Sequence, residues 1–128
     1  MQNADMLSPS VLAFVGDAVY GLYVRKTLAE INRQSKDLHS LSVKLVNANA
    51  QAKAFEIIEP ALSQKEISVF KRGRNFKTST TPKHSTNAQY HTATGLETLF
   101  GYLYLSGNEN RADELFKIIW DVLSSEEL

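Results

Sequence analysis

The chain contains no cysteine, which excludes disulfides, thiolate-held zinc and cysteine nucleophiles and points to a reducing, cytoplasmic setting. Histidine is scarce as well. His39, His84 and His91 show no short ligand spacing, so any metal should be held by oxygen and not by imidazole. A long apolar run is also missing. Pro9 and Asp17 interrupt the most hydrophobic stretch well short of a bilayer span, and Met-Gln-Asn-Ala-Asp at the start has no basic region of the kind that opens an export signal. A soluble, unexported protein with no membrane partner is expected. Net charge is absent too, with 14 Lys+Arg against 14 Asp+Glu, so overall charge names no polyanionic partner.

What is present is one domain's worth of chain. At 128 residues and 43% hydrophobic content, residues 1–128 can bury a single core but not two ordinary ones. The balanced charge is unevenly spread. Lys71, Arg72, Arg74, Lys77 and Lys83 fall between Lys71 and His84 with no acid among them, while the rest of the chain is acidic on balance.

The pattern of apolar residues predicts an all-α, single-domain fold. Ser8-Pro9 opens a first helix that should run to about Asn32, apolar on nearly every face between Val11 and Val24 and therefore expected to be buried on several sides. A second helix is expected from an N-cap at Ser35 to Glu59, stopped by Pro60, with the alanine-rich Asn47–Ala52 stretch read as helix despite its strand-like alternation. Ser63-Gln64-Lys65-Glu66 matches a capping box for a third helix that Gly73 can end. The basic segment, about residues 71–85, leads into a loop from Arg74 to Ser85, followed by helices from about Thr86 to Leu105 and from Arg111 to Leu123. An acidic, frayed tail at about 124–128 closes the chain.

Two carboxylates interrupt the two most apolar helices, Asp17 in Phe14-Val15-Gly16-Asp17-Ala18-Val19 and Glu97 in Gly95-Leu96-Glu97-Thr98-Leu99-Phe100. An ionised carboxylate in apolar surroundings needs a compensating partner. A shared divalent ion would serve both, and an all-oxygen site with retained water suits Mg²⁺. Small residues four positions to either side, Ala13 and Gly21 around Asp17, Ala93 and Gly101 around Glu97, leave room on each carboxylate's face for a second helix or a phosphate. The same residues also fit a plainer arrangement, with Asp17 satisfied by a hydroxyl such as that of Tyr20 and Glu97 by an interhelical hydrogen bond.

The acid-free basic run is the kind of surface that holds a phosphate backbone. Asn75 and the hydroxyls of Thr78, Ser79, Thr80 and Thr81 add donors for phosphate or ribose. Phe76 is the run's only aromatic residue, so stacking on bases is not the expected mode and duplex RNA is favoured over single strands. A solvated loop that only aids solubility would look the same.

Taken together these elements resemble a known family. Phe14-Val15-Gly16-Asp17-Ala18-Val19 resembles the Phe-Leu-Gly-Asp-Ala core of the ribonuclease III signature, and Leu96-Glu97-Thr98-Leu99-Phe100-Gly101 resembles its second, Glu-Ala-Leu-Ile-Gly, element. Lys71-Arg72-Gly73-Arg74-Asn75 with Lys77, followed by Thr80-Thr81-Pro82-Lys83, is similar to the basic loop of the Mini-ribonuclease III subgroup, which has the catalytic domain and no separate double-stranded RNA-binding domain. The likeness runs from about residue 7 to residue 105, in order and in register.

The resemblance implies a ribonuclease III endonuclease-like helical fold, a homodimer, and Mg²⁺-dependent cutting of double-stranded RNA into products with 5′-phosphate and 3′-hydroxyl ends. It implies that Asp17 and Glu97 hold the Mg²⁺, with Mn²⁺ able to substitute. RNA contacts would come from Lys71, Arg72, Arg74, Asn75, Lys77, Thr78, Lys83 and His84. Precursor 23S ribosomal RNA is the implied substrate, and a large-subunit ribosomal protein is a candidate partner. Parent ribonuclease III enzymes carry further acids seven and four residues before the Asp and three before the Glu, where this chain has Ser10, Ala13 and Thr94. Two carboxylates are therefore expected to form the whole protein part of the metal site. The principal alternative is a catalytically silent, double-stranded RNA-binding module of the same fold.

Overall fold

The computed structural model describes residues 3–76 and 87–127, with side chains described through residue 126; Lys77, Thr78, Lys83 and His84 lie outside the described residues. All the regular structure described is helical. The helix α1 (Pro9–Ala29) starts as expected, with Pro9 in its first turn and Ser8 Oγ accepting the Val11 N–H at 3.3 Å. It ends a little early, at a turn in which Asn32 takes the left-handed conformation, φ 54°.

The expected second helix is two. Helix α2 (Ser35–Val46) is preceded by Gln34 and not capped by Ser35, and α3 (Ala48–Ile58) begins at a break on Asn47. The reason is local chemistry: Asn47 Oδ1 accepts the Ala50 N–H at 2.8 Å, and this side-chain bond replaces the one that a continuous helix would make. Pro60 then sits in a short 3₁₀ turn, Glu59–Ala61. Helix α4 (Gln64–Arg74) opens on the capping box, with Ser63 Oγ and Glu66 Oε1 each accepting the other's backbone N–H at 3.1 and 2.8 Å.

Gly73 does not end α4; Asn75 does. Gly73 lies instead where α4 crosses α5 (Asn87–Leu105), and a Cβ there would fall 2.1 Å from Thr98 Oγ1. Helix α5 stops at Gly107, whose φ of 82° lets the Asn108 N–H return to the Leu103 carbonyl at 2.7 Å. Helix α6 (Glu109–Glu127) is longer at both ends than expected, so the residues read as a frayed tail are helical through Glu127. Arg111, near the start of α6, donates to both Glu66 oxygens and to the Ala61 carbonyl, tying the openings of α4 and α6 together.

Helix α5 is the central element, flanked by α1, α4 and α3. Leu96, Leu99, Phe100 and Leu103 are buried along it, and Tyr20 meets Phe100 and Phe116 edge-on at 5.3 and 5.6 Å. Helix α1 is covered on one side only. Leu12, Val19, Tyr20, Val24 and Leu28 face the core, whereas Val11, Phe14, Ala18 and Leu22 are exposed. The apolar character read as burial on several sides is thus half core and half bare stripe. Among the described residues no helix is long and apolar enough to cross a membrane.

The contact between α1 and α5 is backbone on backbone. A Cβ on Gly16 would lie 1.6 Å from the Glu97 carbonyl oxygen, and one on Gly101 would lie 1.9 Å from that of Leu12. Of the four small residues expected to admit a neighbour, Gly101 does so; the partner position is Gly16, not Ala13 or Gly21. Gly21 meets only the flexible end of Arg25, at 3.0 Å. The substitution Gly16→Ala should therefore destabilise the fold by about 2–3 kcal/mol or more, which thermal unfolding would record as a fall of roughly 10 °C. Gly21→Ala, which gains helix propensity without a backbone clash, should leave the melting temperature unchanged or slightly higher.

Candidate active site

The α1–α5 crossing places its chemistry beside the glycines. Asp17 follows Gly16 directly, and the Gly16 Cα approaches the backbone of Glu97 itself, so close helix contact brings the two carboxylates together. Their side chains are within hydrogen-bonding reach of each other. They border an open cleft of about 360 Å³ lined by Ser10, Ala13, Phe14 and Asp17 of α1, Tyr90, Thr94 and Glu97 of α5, and Phe76 beyond the end of α4. Ser10, Ala13 and Thr94, the positions where parent enzymes carry further acids, line this same cleft.

The two acids differ in environment. Asp17 is exposed, contrary to the expectation that its helix buries it. Tyr20, offered as its alternative partner, is in the core with an unpartnered hydroxyl, and that burial pushes its phenol well above the usual range. Glu97 is half-buried. Desolvation, with the negative charge of Asp17 next, pushes its carboxyl up to about 8, and only a hydrogen bond from Gln51 acts the other way. No third Asp, Glu or His joins them among the described residues.

Gln51, on α3, was not anticipated. It is 3% exposed, and its Nε2 donates to the Val46 carbonyl at 3.0 Å and to Glu97 Oε2 at 3.4 Å. The sequence does carry a signal: Gln51 is a polar residue on the buried stripe that includes Leu45, Ala54, Phe55 and Ile58.

The residues expected to contact RNA separate into groups. Lys71, Arg72 and Asn75 border a shallow groove on the outer face of α4 together with Gln64, Ile67 and Ser68. Arg72 is partly committed, since its Nη2 donates to the Leu7 carbonyl at 2.8 Å. Arg74 lies over the Phe70 ring at 5.7 Å and donates to Asn75 Oδ1 at 3.1 Å. Phe76, read as incidental, enters the carboxylate cleft and is 40% exposed.

Among the described residues the two carboxylates stand in reach of each other, one of them desolvated, with no Lys or Arg lining their cleft, and a hard divalent ion would fit such a donor set. The oxygen-only chemistry fits Mg²⁺ or Mn²⁺, with two protein ligands and the remaining positions left to water or phosphate.

Comparisons with known proteins show the family and the fold. The Ribonuclease III domain family matches residues 10–108. Mini-ribonuclease 3 of a Thermoanaerobacter species is 46% identical over 118 residues, covering 91% of this chain and 83% of the relative. Mini-ribonuclease 3 of Symbiobacterium thermophilum is 39% identical over 124 residues, covering 96% and 95%. A crystal structure of a Fusobacterium nucleatum protein superposes with a TM-score of 0.81 at 30% identity, over 98% of this chain and 99% of that one.

The raised Glu97 carboxyl gives a pH signature in metal-free protein. The folded state keeps this proton up to about pH 8, whereas the unfolded chain releases it near the ordinary carboxylate range. Between those values the folded state holds more protons, so the stability contributed by the protonated group is lost as pH rises. Glu97→Gln removes that dependence. In EDTA its melting temperature should match the wild type near pH 4.5, then exceed it by a margin that widens to pH 8 and levels off above. A margin that stays flat across this window would show that Glu97 is not held protonated.

Proposed function

The chain belongs to the ribonuclease III family of endoribonucleases, and on that premise we propose that it hydrolyses both strands of duplex RNA as a Mg²⁺-dependent homodimer, with Mn²⁺ able to substitute. The observation that carries this reading is the convergence of Asp17 and Glu97 in one open cleft that, among the described residues, no Lys or Arg lines.

In this reading Asp17 and Glu97 hold the ion through carboxylate oxygens. When bound, the ion would supply charge neutralisation at the scissile phosphate and would lower the pKa of a water so that hydroxide is available as the nucleophile; the products expected are 5′-phosphate and 3′-hydroxyl ends. The chain's other residues shape the setting. Thr94 Oγ1 donates to the Tyr90 carbonyl at 3.1 Å, so its proton is committed and it can act toward water only as an acceptor. Phe14, Phe76 and Tyr90 add aromatic surface to the border of the cleft. Lys71, Arg72, Arg74 and Asn75, with Lys77, Thr78, Lys83 and His84 beyond them in sequence, provide the backbone contacts that a separate RNA-binding domain provides elsewhere.

Precursor 23S ribosomal RNA is the proposed substrate, and it rests on the subgroup resemblance alone. The silent RNA-binding alternative is disfavoured because a module that only bound duplex would gain nothing from keeping a desolvated acid beside a second one.

The homodimer is supported by the bare side of α1. Phe14 is 81% and Leu22 62% exposed, and the stripe continues through Ala18 to a cavity of about 340 Å³ lined also by Tyr23 and Tyr104. An apolar stripe of this kind on a small domain marks an interface, and α1's two-fold pairing with a copy of itself would cover it on both protomers.

Three measurements test the reading. Long duplex RNA, single-stranded RNA and duplex DNA are each incubated with Mg²⁺ or EDTA; only duplex RNA with Mg²⁺ should be cut. Asp17→Asn should lose about 10³-fold or more in cleavage while binding duplex within about threefold of wild type; unchanged cleavage by this variant would remove Asp17 from the mechanism. In sedimentation experiments Phe14→Glu should shift the protein from dimer to monomer, and an unaltered dimer would place the interface elsewhere.

A further inference from the structure

We propose that Gln51 is a positioning residue for the metal-binding carboxylates: anchored by the Val46 carbonyl, its amide holds Glu97 Oε2 and so determines which edge of that carboxylate is presented beside Asp17. The inference rests on the assignment of Asp17 and Glu97 as a metal pair.

The anchoring follows from the break between α2 and α3. In a continuous helix the Ala50 N–H would bond the Val46 carbonyl. Here it bonds Asn47 Oδ1 instead, at 2.8 Å, and the released Val46 oxygen accepts from Gln51 Nε2 at 3.0 Å. This fixes the amide's orientation, because flipping it would set Gln51 Oε1 against a carbonyl oxygen, acceptor against acceptor. The amide's second N–H is thereby aimed at Glu97 Oε2, 3.4 Å away.

Gln51 makes these bonds at a position where packing alone would choose differently. It is 3% exposed, surrounded by the apolar stripe of α3, and its own Oε1 is buried with no hydrogen-bond partner. A methionine or leucine would fill the same space without the orphaned Oε1, at the cost of the donor to the Val46 carbonyl. An amide kept there in spite of that penalty is explained by what its nitrogen does. Groups that orient a metal ligand from behind commonly affect metal affinity by about 10–100-fold.

The test is Gln51→Met, which keeps the volume and removes the donor, with Gln51→Ala alongside as a variant that adds no new contact. Mn²⁺ binding to each is measured by titration calorimetry without RNA, next to wild type and Asp17→Asn. Melting temperature and duplex affinity in EDTA report on the fold. Expected are a loss of Mn²⁺ affinity of about 10-fold or more, duplex affinity within twofold of wild type, and cleavage restored when the metal concentration is raised in proportion. A merely structural role would instead lower duplex affinity and melting temperature and would not respond to added metal. If Asp17→Asn abolishes Mn²⁺ binding while both Gln51 variants bind within twofold of wild type, the role of Gln51 is overturned and the metal pair stands. If Asp17→Asn binds Mn²⁺ as wild type does, the metal pair itself is wrong and the inference falls with it.

Discussion

The close crossing of α1 and α5 is the constraint on which the site depends. Two helices normally pack 8–10 Å apart because side chains stand between them. At Gly16 and Gly101 nothing stands between them, and the backbone of each helix fills the space where the other's Cβ would be. Neither position tolerates a methyl group without moving a whole helix. Because Asp17 adjoins Gly16 and Glu97 is the residue Gly16 touches, the arrangement that seats the helices also sets the distance between the acids. Fold and site share one contact.

That economy has an electrostatic consequence. Pressing the helices together half-buries Glu97 and puts a like charge next to it, so the folded apo-protein favours a protonated Glu97. Natural proteins keep such internally opposed arrangements where a ligand resolves them, and a divalent ion would resolve this one by favouring both ionised forms together. Leu96, Leu99 and Phe100 beside Glu97 in α5 are fully buried, and the Glu66–Arg111 pair ties α4 to α6.

Much of this was legible in the sequence, for reasons that differ from residue to residue. Ser8-Pro9 and the Ser63–Glu66 capping box announce helix starts because their chemistry is local. Asp17 and Glu97 stand out because charge is rare in such apolar surroundings. The failures concern the third dimension. An apolar helix does not say whether its second face meets its own core or another molecule, so α1 read as buried on several sides when Phe14 and Leu22 are bare. Gly73 read as a helix stop because glycine has two uses, termination and close approach, and only the position of Thr98 distinguishes them. That Arg72 also donates to the Leu7 carbonyl, 65 residues away in sequence, is a contact that no local pattern announces.

Asn47 shows how a short-range choice reaches the site. An alanine at this position would favour a continuous helix from Ser35 to Ile58, as expected from propensity alone. Asparagine's side chain takes the Ala50 N–H, the helix breaks, and the Val46 carbonyl is left open. Gln51 occupies that carbonyl and, through it, acquires a fixed direction toward Glu97. A helix defect thus becomes part of the wall behind Glu97. The sequence shows only that Gln51 is a polar residue on an apolar stripe; which backbone oxygen is free, and what α5 places opposite it, cannot be read from residue type or spacing. The Gly16–Gly101 contact holds the acids at the front, and the Asn47 break sets the amide that orients one of them from behind.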